Sequence, residues 1–385
     1  MDFRLGGDLD AFRAEVRKVL APYTTPEIRG RAIATGTWLD WDLTREMAAR
    51  GWIGDDFPVD MGGGGNDPVR MIALREEIDL SGAPGLGWIY ARMIANSLRV
   101  AGSEQQKRDI IPRLFRGEMI ACLGYTEPGS GSDVAAATTR ARQVEGGDEW
   151  VIDGQKMFTT VAEVASYVFL LTRTDPSVAK HKGLTLFLVP MDAPGVEVRE
   201  VKTLGERTNV TFYTNVRVPD SARVGEVNGG WRVMLAALAE ERPGGGRDHK
   251  DKLLLAALES VRAPVGAPPD DAVLREALAR CAVENEVSAL MGYRAMWLFG
   301  QGRDAGVEGS MFKLFWSESL IRSSSALLDA IGPLGLLALG EKGSLAEGEV
   351  ERLYRHSQVT TISAGSSEIQ RGIIAERRLG LPRTR

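Results

Sequence analysis

Two adjacent glutamates, Glu240 and Glu241, end an alanine- and leucine-rich run in the stretch AALAEERPGGGR. Apolar residues stand three, four and seven positions before each of them, so helical spacing places either carboxylate on an apolar face. A carboxylate desolvated on such a face has a raised pKa and can act as a general base near neutral pH. The ordinary alternative is a solvated pair at a helix end with Arg242 as ion-pair partner. Periodicity does not choose between the two glutamates.

A loop of glycines and hydroxyl residues follows the first predicted strand, in GYTEPGSGSDV. Gly129 and Gly131 alternate with Ser130 and Ser132, so a ligand can approach the backbone closely and meet N–H groups and hydroxyls. This chemistry suits the polar edge of a flavin or a phosphate. The loop is not the G-x-G-x-x-G of a dinucleotide fold, because no strand–turn–helix unit follows and Asp133 replaces the third glycine. A tight turn that ends a strand is the alternative.

A second candidate binding segment is DGQKMFTTVAE, where a hairpin turn at Asp153-Gly154 is predicted to lead into Phe158, Thr159 and Thr160. An aromatic ring beside two hydroxyls can stack on a planar ligand and hydrogen-bond its edge. The alternative is a half-buried strand with the phenyl ring turned inward. Neither segment is decisive by itself.

Composition and charge argue against several classes of partner. The formal net charge of -5 and the pI near 5.6 disfavour nucleic acid and anionic membranes. Apolar runs are far shorter than a membrane span, and the N-terminus lacks an apolar signal region, so a cytoplasmic protein is predicted. Two cysteines, Cys122 and Cys281, fit a reducing compartment. The three histidines are isolated in the sequence, so no metal site is expected.

The elements that would position these residues fall in three zones. Residues 1–118 are predicted as an N-terminal helical domain, 119–226 as a central antiparallel β domain and 227–385 as a C-terminal helical domain, an α+β fold. Ser103 and Gln106 resemble a capping box at the start of one helix. The predicted strands are IACLGYT, TTRARQV, EWVIDG, SYVFLLTRT, GLTLFLVP, VEVREV and NVTFYTNVRVP.

Six segments, in order along nearly the whole chain, resemble motifs of the acyl-CoA dehydrogenase family. TEPGSGSD is close to the flavin-binding signature of the family, DGQKMFTT to its second flavin strand and SSEIQRGIIAERRLG to its C-terminal helix. GWIGDDFPVDMGGGG, GSEQQKRDIIPRLFRGE and VPDSARVGEVNGGW resemble the N-terminal block, the helix leading into the sheet and the exit from the β domain. The order and spacing of these motifs make the resemblance specific.

The resemblance implies a flavoenzyme with FAD in the crevice between the β domain and a C-terminal four-helix bundle. It implies that a carboxylate removes the α-proton of an acyl-CoA thioester while the β-hydrogen leaves as hydride to flavin N5, giving the trans-2-enoyl-CoA. Ser132 is also implied to lie near the acyl-CoA. The residues implied to contact FAD are Leu123, Tyr125, Thr126, Gly131, Ser132, Phe158, Thr159, Thr160, Ser366 and Glu368.

The position of the base departs from the usual family pattern. Most members carry a glutamate before a glycine in the C-terminal motif, where this chain has Ala364. Alanine offers no base, although its backbone N–H can still polarise the thioester carbonyl. A minority, including isovaleryl-CoA dehydrogenases, carries the base on the first helix of the C-terminal domain, just ahead of an arginine. When that arginine is aligned with Arg242, a substrate-side neighbour, the base falls on Glu241. Glu240 is the fallback, and Glu368 is a weaker candidate.

Motifs that family homotetramers contribute to a neighbouring FAD site are incomplete here. In DAIGPLG, Asp329 replaces a glutamine and Pro333 a glycine, which places a negative charge near the diphosphate and removes an N–H donor. In RAPVG, Arg262 is kept, Val265 replaces a phenylalanine, and Val273 stands near the expected glutamine. The resemblance therefore implies an α2β2 heterotetramer in which a homologous second subunit completes the FAD site. An electron-transfer flavoprotein is the usual acceptor.

Related heteromeric enzymes shorten sterol side chains, so a bulky or branched acyl-CoA, with a steroid thioester as one example, is the expected substrate. Ala236, Ala237 and Ala239 would leave room for such a group, although alanines are also ordinary helix formers. Two other functions compete. Ala364 is compatible with an inactive scaffold subunit, and the same fold also serves flavin oxidases in which oxygen is the acceptor.

Overall fold

A computed structural model describes residues 8–66, 69–204, 207–241, 247, 249–262, 272–301, 303 and 305–382. Helices precede and follow a central sheet, as predicted. The helices are α1 (Asp8–Leu20), α2 (Pro26–Thr35), α3 (Trp41–Ala49), α4 (Val69–Ser81), α5 (Leu86–Ala101), α6 (Glu104–Phe115), α7 (Gly230–Glu241), α8 (His249–Arg262), α9 (Ala272–Gly300), α10 (Gly306–Ile331), α11 (Glu349–Thr360) and α12 (Ser367–Arg377). The strands are β1 (Ala121–Gly124), β2 (Arg140–Gln143), β3 (Glu149–Lys156), β4 (Tyr167–Arg173), β5 (Leu184–Pro190), β6 (Val196–Lys202), β7 (Arg207–Pro219) and β8 (Arg223–Val224).

Helix α6 begins at the predicted capping box. The Gln106 N–H donates to the Ser103 hydroxyl at 3.1 Å, and the Ser103 N–H donates to the Gln106 side-chain oxygen at 3.0 Å. The Gln106 amide also donates to the carbonyls of Ser221 and Arg223, at 2.9 and 3.0 Å. One buried side chain therefore caps the helix and fixes the segment that enters β8.

Each predicted strand segment overlaps an observed strand, from β1 to β7, and β3, β6 and β7 extend beyond their predicted segments. The sheet order is β6-β7-β3-β2-β4-β5-β8, with β1 beside β4. Most pairs are antiparallel, but β1 and β2 both run parallel to β4, so the sheet is mixed. The two-residue β8 was not predicted, because so short a segment carries no periodicity.

The predicted turn at Asp153-Gly154 is wrong. β3 runs through these residues and pairs with β7 on both sides of a register shift. Gly154 has a φ of 149°, and a Cβ at this residue would lie 2.7 Å from the Thr139 Cα. The glycine therefore serves a β-bulge and a close approach of two backbones rather than a reversal. The chain reverses between β2 and β3 at Gly146-Gly147, where both φ angles are positive.

The chain divides into two units, the first formed by residues 27–67 and 84–241. Its core lies on the sheet, where the rings of Trp150 and Phe187 pack with centroids 5.3 Å apart. Helix α7 packs against α5 and β5. The buried residues of α7 are Val233, Met234 and Ala237.

The second unit is formed by residues 1–26, 68–83 and 242–385. Helices α8, α9, α10 and α11 pack around a buried core. Its leucines are Leu253, Leu274, Leu320, Leu327, Leu328 and Leu353.

Helix α4 joins this second unit through a buried carboxylate. Glu76 accepts hydrogen bonds from the Tyr293 hydroxyl at 2.6 Å and from the Arg247 N–H at 2.9 Å, and it also contacts Arg13. Part of the N-terminal helical zone thus packs with the C-terminal helices. The boundaries at 118/119 and 226/227 stay predictions.

Replacing Gly154 by alanine should lower the free energy of unfolding by about 3 kcal/mol, because the new methyl group meets the Thr139 backbone in a strained conformation. Gly146→Ala is the matched control, since its φ is also positive but a Cβ there meets nothing within 4 Å. It isolates backbone strain, for which about 1 kcal/mol is expected. Urea unfolding measures both, and equal losses would contradict the close approach.

Candidate functional site

The first candidate loop begins where β1 ends, and backbone hydrogen bonds within the loop form a tight turn. The backbones of Glu127 and Ser130 exchange hydrogen bonds at 2.9 and 3.1 Å. The Ser130 hydroxyl is buried and has no hydrogen-bond partner among the described residues. A Cβ added at Gly129 or Gly131 would meet nothing within 4 Å. The loop therefore offers an unsatisfied hydroxyl and open space beside its backbone.

The second candidate segment follows β3 and lies against the first. The Met157 N–H donates to the Thr126 carbonyl at 2.8 Å. Phe158 and Val161 have left-handed φ angles of 56° and 59°, which are uncommon for residues other than glycine and strained for a β-branched one. The Phe158 side chain is 53% exposed. The exposed ring of Phe158 is thus held at the surface by a backbone conformation that is unfavourable for phenylalanine.

The two threonines of this segment differ. Thr159 is fully buried, its N–H donates to the Asn209 carbonyl at 2.9 Å, and its hydroxyl lies 3.3 Å from that of Thr211. Thr160 is half-buried, with its hydroxyl 3.4 Å from that of Thr208. Thr160 is therefore the better placed of the two to reach a ligand, and both assignments stay predictions.

The remaining residues predicted to contact the flavin from this unit lie on β1 and in the loop that follows it. Leu123 is half-buried on β1, and Tyr125 is buried directly after it. Ser132 lies on the exposed side of the first loop. The exposed ring, the orphaned hydroxyl and the open glycine backbone fit the flavin that the resemblance implies.

A buried ion pair between Lys156 and Glu127 joins the two segments, and sequence reasoning missed it. The Lys156 amine donates to the Glu127 carboxylate at 2.7 Å and to the Tyr125 carbonyl at 3.2 Å. Burial alone would raise the pKa of Glu127, but Lys156 and the Thr138 donors lower it to about 2. Burial lowers the pKa of Lys156 to about 8 despite the attraction of Glu127. Both groups are therefore charged at neutral pH.

The glutamates of AALAEERPGGGR fall at the end of α7, with Glu241 as its last residue. The buried row of Val233, Met234 and Ala237 continues, by helical spacing, to positions 240 and 241 alike. The side chains of both glutamates, and all of Arg242, lie outside the described residues. The choice of Glu241 stays a prediction.

The C-terminal motif forms a tight turn in the second unit. Ala364 and Gly365 have left-handed φ angles of 53° and 88°. Their carbonyls accept hydrogen bonds from the buried Gln370 amide at 3.1 and 3.3 Å, and the Lys313 amine donates to the Gly365 carbonyl at 2.6 Å. The Ala364 N–H donates no hydrogen bond within the described part of the chain. The turn thus holds one backbone donor ready for a ligand.

Ser366 and Glu368 begin helix α12. The Ser366 hydroxyl accepts from the Ile369 N–H at 3.4 Å as an N-cap. Glu368 is exposed, and its own backbone N–H together with the Ser366 hydroxyl lowers the pKa of its carboxyl. A low pKa in an exposed site is the opposite of what a general base needs.

The positions that motivated a partner subunit are exposed where the structure describes them. Asp329 near the end of α10 and Pro333 just after it are both exposed, as is Val273 at the start of α9. Val265 lies outside the described residues, as does the Arg262 side chain. In the described ranges no group of three or more His, Cys, Asp or Glu side chains is arranged to hold a metal ion. No described helix is long and apolar enough to cross a membrane.

Three family profiles match the chain in succession. The acyl-CoA dehydrogenase N-terminal domain matches residues 7–118, the middle domain 122–216 and the C-terminal domain 228–379. The acyl-CoA dehydrogenase FadE26 of Mycobacterium tuberculosis is 31% identical, over 97% of this chain and 97% of its own. The predicted fold class is confirmed, and the β domain holds a mixed sheet.

Two solved structures resemble the chain over its whole length. The steroid ACAD Tcur3481-Tcur3483 has a TM-score of 0.91 and 30% identity, with 100% of both chains covered. The ChsE4-ChsE5 complex from Mycobacterium tuberculosis has a TM-score of 0.88 and 30% identity, again with 100% of both chains covered.

The depressed pKa of Glu127 predicts a loss of stability in acid. The ionised carboxylate stabilises the fold above its unfolded pKa near 4.5, and this contribution disappears as pH falls towards about 2. The loss amounts to about 3 kcal/mol. Urea unfolding between pH 5 and pH 2 measures it. The double variant Glu127→Gln, Lys156→Met should show a shallower pH slope, and an unchanged slope would contradict the assignment.

Proposed function

Since the chain belongs to the acyl-CoA dehydrogenase family, whose members are FAD-dependent oxidoreductases, we propose that it dehydrogenates a bulky acyl-CoA with Glu241 as the base. FAD, when bound, takes the β-hydrogen of the thioester as hydride. The residues of the chain must then remove the α-proton, polarise the thioester carbonyl and hold both partners in register.

Ala364 is the observation that carries the assignment of the base. It stands where most family members have a carboxylate, and a methyl group cannot take a proton. Glu368, four residues on, is exposed and has a lowered pKa. On helix α7, in contrast, the buried residues Val233, Met234 and Ala237 point by helical spacing to positions 240 and 241, and a carboxylate desolvated on that face would have a raised pKa. Register against Arg242, the substrate-side neighbour, then favours Glu241 over Glu240 as the base.

The Ala364 N–H is proposed to polarise the thioester carbonyl. A backbone donor works best when it is held in place before the charge develops on the oxygen. The turn that carries this donor is held by Gln370 and Lys313, which donate to the carbonyls of Ala364 and Gly365. The left-handed backbone of Ala364 supports the same role, because strain of this kind collects at functional sites.

The flavin is proposed to lie against the first loop and the segment after β3. Thr126, Gly131, Ser132 and Tyr125 would meet its polar edge, and the exposed ring of Phe158 would cover the aromatic system. Thr160 would reach the edge of the ring, with Leu123 and Thr159 supporting from behind. Ser366 and Glu368 would contribute from the C-terminal turn, and Ser132 would also contact the acyl-CoA.

A second, homologous subunit is proposed to complete the FAD site in an α2β2 heterotetramer. The support comes from the exposed Asp329 and Pro333, which are unsuited to a diphosphate. A similar structure is titled as the complex ChsE4-ChsE5, and another as a steroid ACAD. A steroid side-chain thioester is accordingly the proposed substrate. An electron-transfer flavoprotein is the proposed acceptor, and the cytoplasm the proposed location.

Glu241→Gln should lower turnover of an acyl-CoA with an artificial electron acceptor by at least about 100-fold, because the amide cannot take the α-proton. Glu240→Gln is the matched control and should keep most of the activity. Turnover is followed by reduction of the acceptor, with hydrogen peroxide recorded in parallel. Full turnover of Glu241→Gln would refute the assignment, inactive wild-type complex would favour the scaffold role, and peroxide formed in step with turnover would favour an oxidase.

The heterotetramer predicts that the chain holds more FAD when it is co-expressed with a neighbouring subunit gene of the same family. Native mass spectrometry should then show two copies of each chain, and the flavin absorbance per chain should rise. A yellow, active assembly formed by this chain alone would contradict the second subunit.

A further inference from the structure

We propose that the buried Lys156–Glu127 pair is a positioning element for FAD. The pair holds the two flavin segments, residues 125–132 and 157–160, in their binding geometry before the cofactor binds. The proposal rests on the assignment of these segments to the flavin, and it adds two residues that would not touch the cofactor themselves. Lys156 is fully buried and Glu127 nearly so.

The sheet does not join the two segments that must bind together. The first loop follows β1, which pairs with β4. The second segment follows β3, which pairs with β2 and β7. No ladder of strand hydrogen bonds therefore aligns residues 125–132 with residues 157–160 in the described sheet. Their alignment must come from other contacts.

Three hydrogen bonds supply this alignment. The Met157 N–H donates to the Thr126 carbonyl at 2.8 Å, and the Lys156 amine donates to both the Tyr125 carbonyl and the Glu127 carboxylate. Two of the three come from one ammonium group. A single side chain at the end of β3 thus fixes the beginning of the loop that follows β1.

Glu127 also binds the end of its own loop, at Thr138 and Thr139; these contacts and those of Lys156 are called the clamp. Its carboxylate accepts from the Thr138 N–H and hydroxyl, both at 2.7 Å, and from the Thr139 N–H at 2.9 Å. The backbone of Glu127 is paired with that of Ser130. Both ends of the glycine-rich stretch are therefore tied to one carboxylate, while the stretch between them stays open.

Packing alone does not account for a charged pair at this place. Replacing a buried ion pair by apolar side chains of similar volume is often neutral for stability, so a sheet core has no need of one. A buried charged group needs hydrogen-bond partners in fixed directions, so it determines where the surrounding backbone must lie. Geometry fixed in advance lowers the entropic cost of binding a ligand.

The test compares Lys156→Met with Arg92→Met in the full-length protein, prepared with any subunit that co-purifies. Lys156→Met removes two of the three hydrogen bonds between the segments but leaves the Glu127 carboxylate its three donors within its own loop. Arg92 is a matched control, because its guanidinium is a buried cation of the same unit paired with Asp56 at 2.5 and 2.9 Å. FAD affinity is measured by quenching of flavin fluorescence, and apoprotein melting temperature is measured beside it.

Lys156→Met should raise the dissociation constant for FAD at least about tenfold and blur the fine structure of the flavin absorption band, because the cofactor no longer meets a fixed loop. Arg92→Met should lower the melting temperature while leaving FAD affinity nearly unchanged. Unchanged FAD affinity in Lys156→Met would overturn the proposal. An equal loss in Arg92→Met would do so as well.

Two further variants keep the outcome clear. Thr138→Val removes one donor to Glu127 at an exposed residue, and it should weaken FAD binding about twofold to fivefold even if Lys156→Met does not fold. Phe158→Ala changes a residue proposed to cover the flavin directly. If only Phe158→Ala alters FAD binding, the positioning role of Lys156 and Glu127 is wrong, but the assignment of the two segments to the flavin is retained. If neither Phe158→Ala nor Lys156→Met alters it, the flavin lies elsewhere.

Discussion

An ammonium group and a carboxylate can share the interior of a sheet only if each finds a full set of partners, because taking either from water is expensive. Lys156 and Glu127 meet this condition with one another, a carbonyl, two backbone N–H groups and a hydroxyl. Each of these partners belongs to a segment that borders the proposed flavin site. The demand for satisfied charges therefore dictates the course of the backbone in a region without regular secondary structure.

The C-terminal turn is held by side-chain donors to backbone carbonyls rather than by an ion pair. Gln370 and Lys313 donate to the carbonyls of Ala364 and Gly365, and the Ala364 N–H has no hydrogen-bond partner among the described residues. A side-chain carboxylate at the same position would have combined two tasks, polarisation and proton removal. In this chain the turn is proposed to keep only the polarisation, and proton removal is proposed to fall to the end of α7.

Much of the fold could be predicted from the sequence because local signals agree with the final packing. The strands were found where β-branched and aromatic residues cluster between glycines and prolines, and the Ser103–Gln106 capping box was found from two residues. Asp153-Gly154 misled because the same pair marks a hairpin turn and a β-bulge, and only the partner strand distinguishes the two. Lys156 and Glu127 escaped notice because charged residues in a sequence usually lie at the surface. The preceding residues Gly154 and Gln155 are exposed, so the local pattern does not mark Lys156 as buried.

The hydrogen bonds that join the two proposed flavin segments lie outside the strand pairing of the sheet. Parting of the segments is therefore distinct from unfolding of the sheet. The segments can part by breaking a few hydrogen bonds while every strand keeps its neighbours. Local opening of this kind lies well below global unfolding in free energy. A cofactor seated between them could then be loaded or exchanged by an already folded chain, on a timescale set by the loop and not by the unfolding barrier.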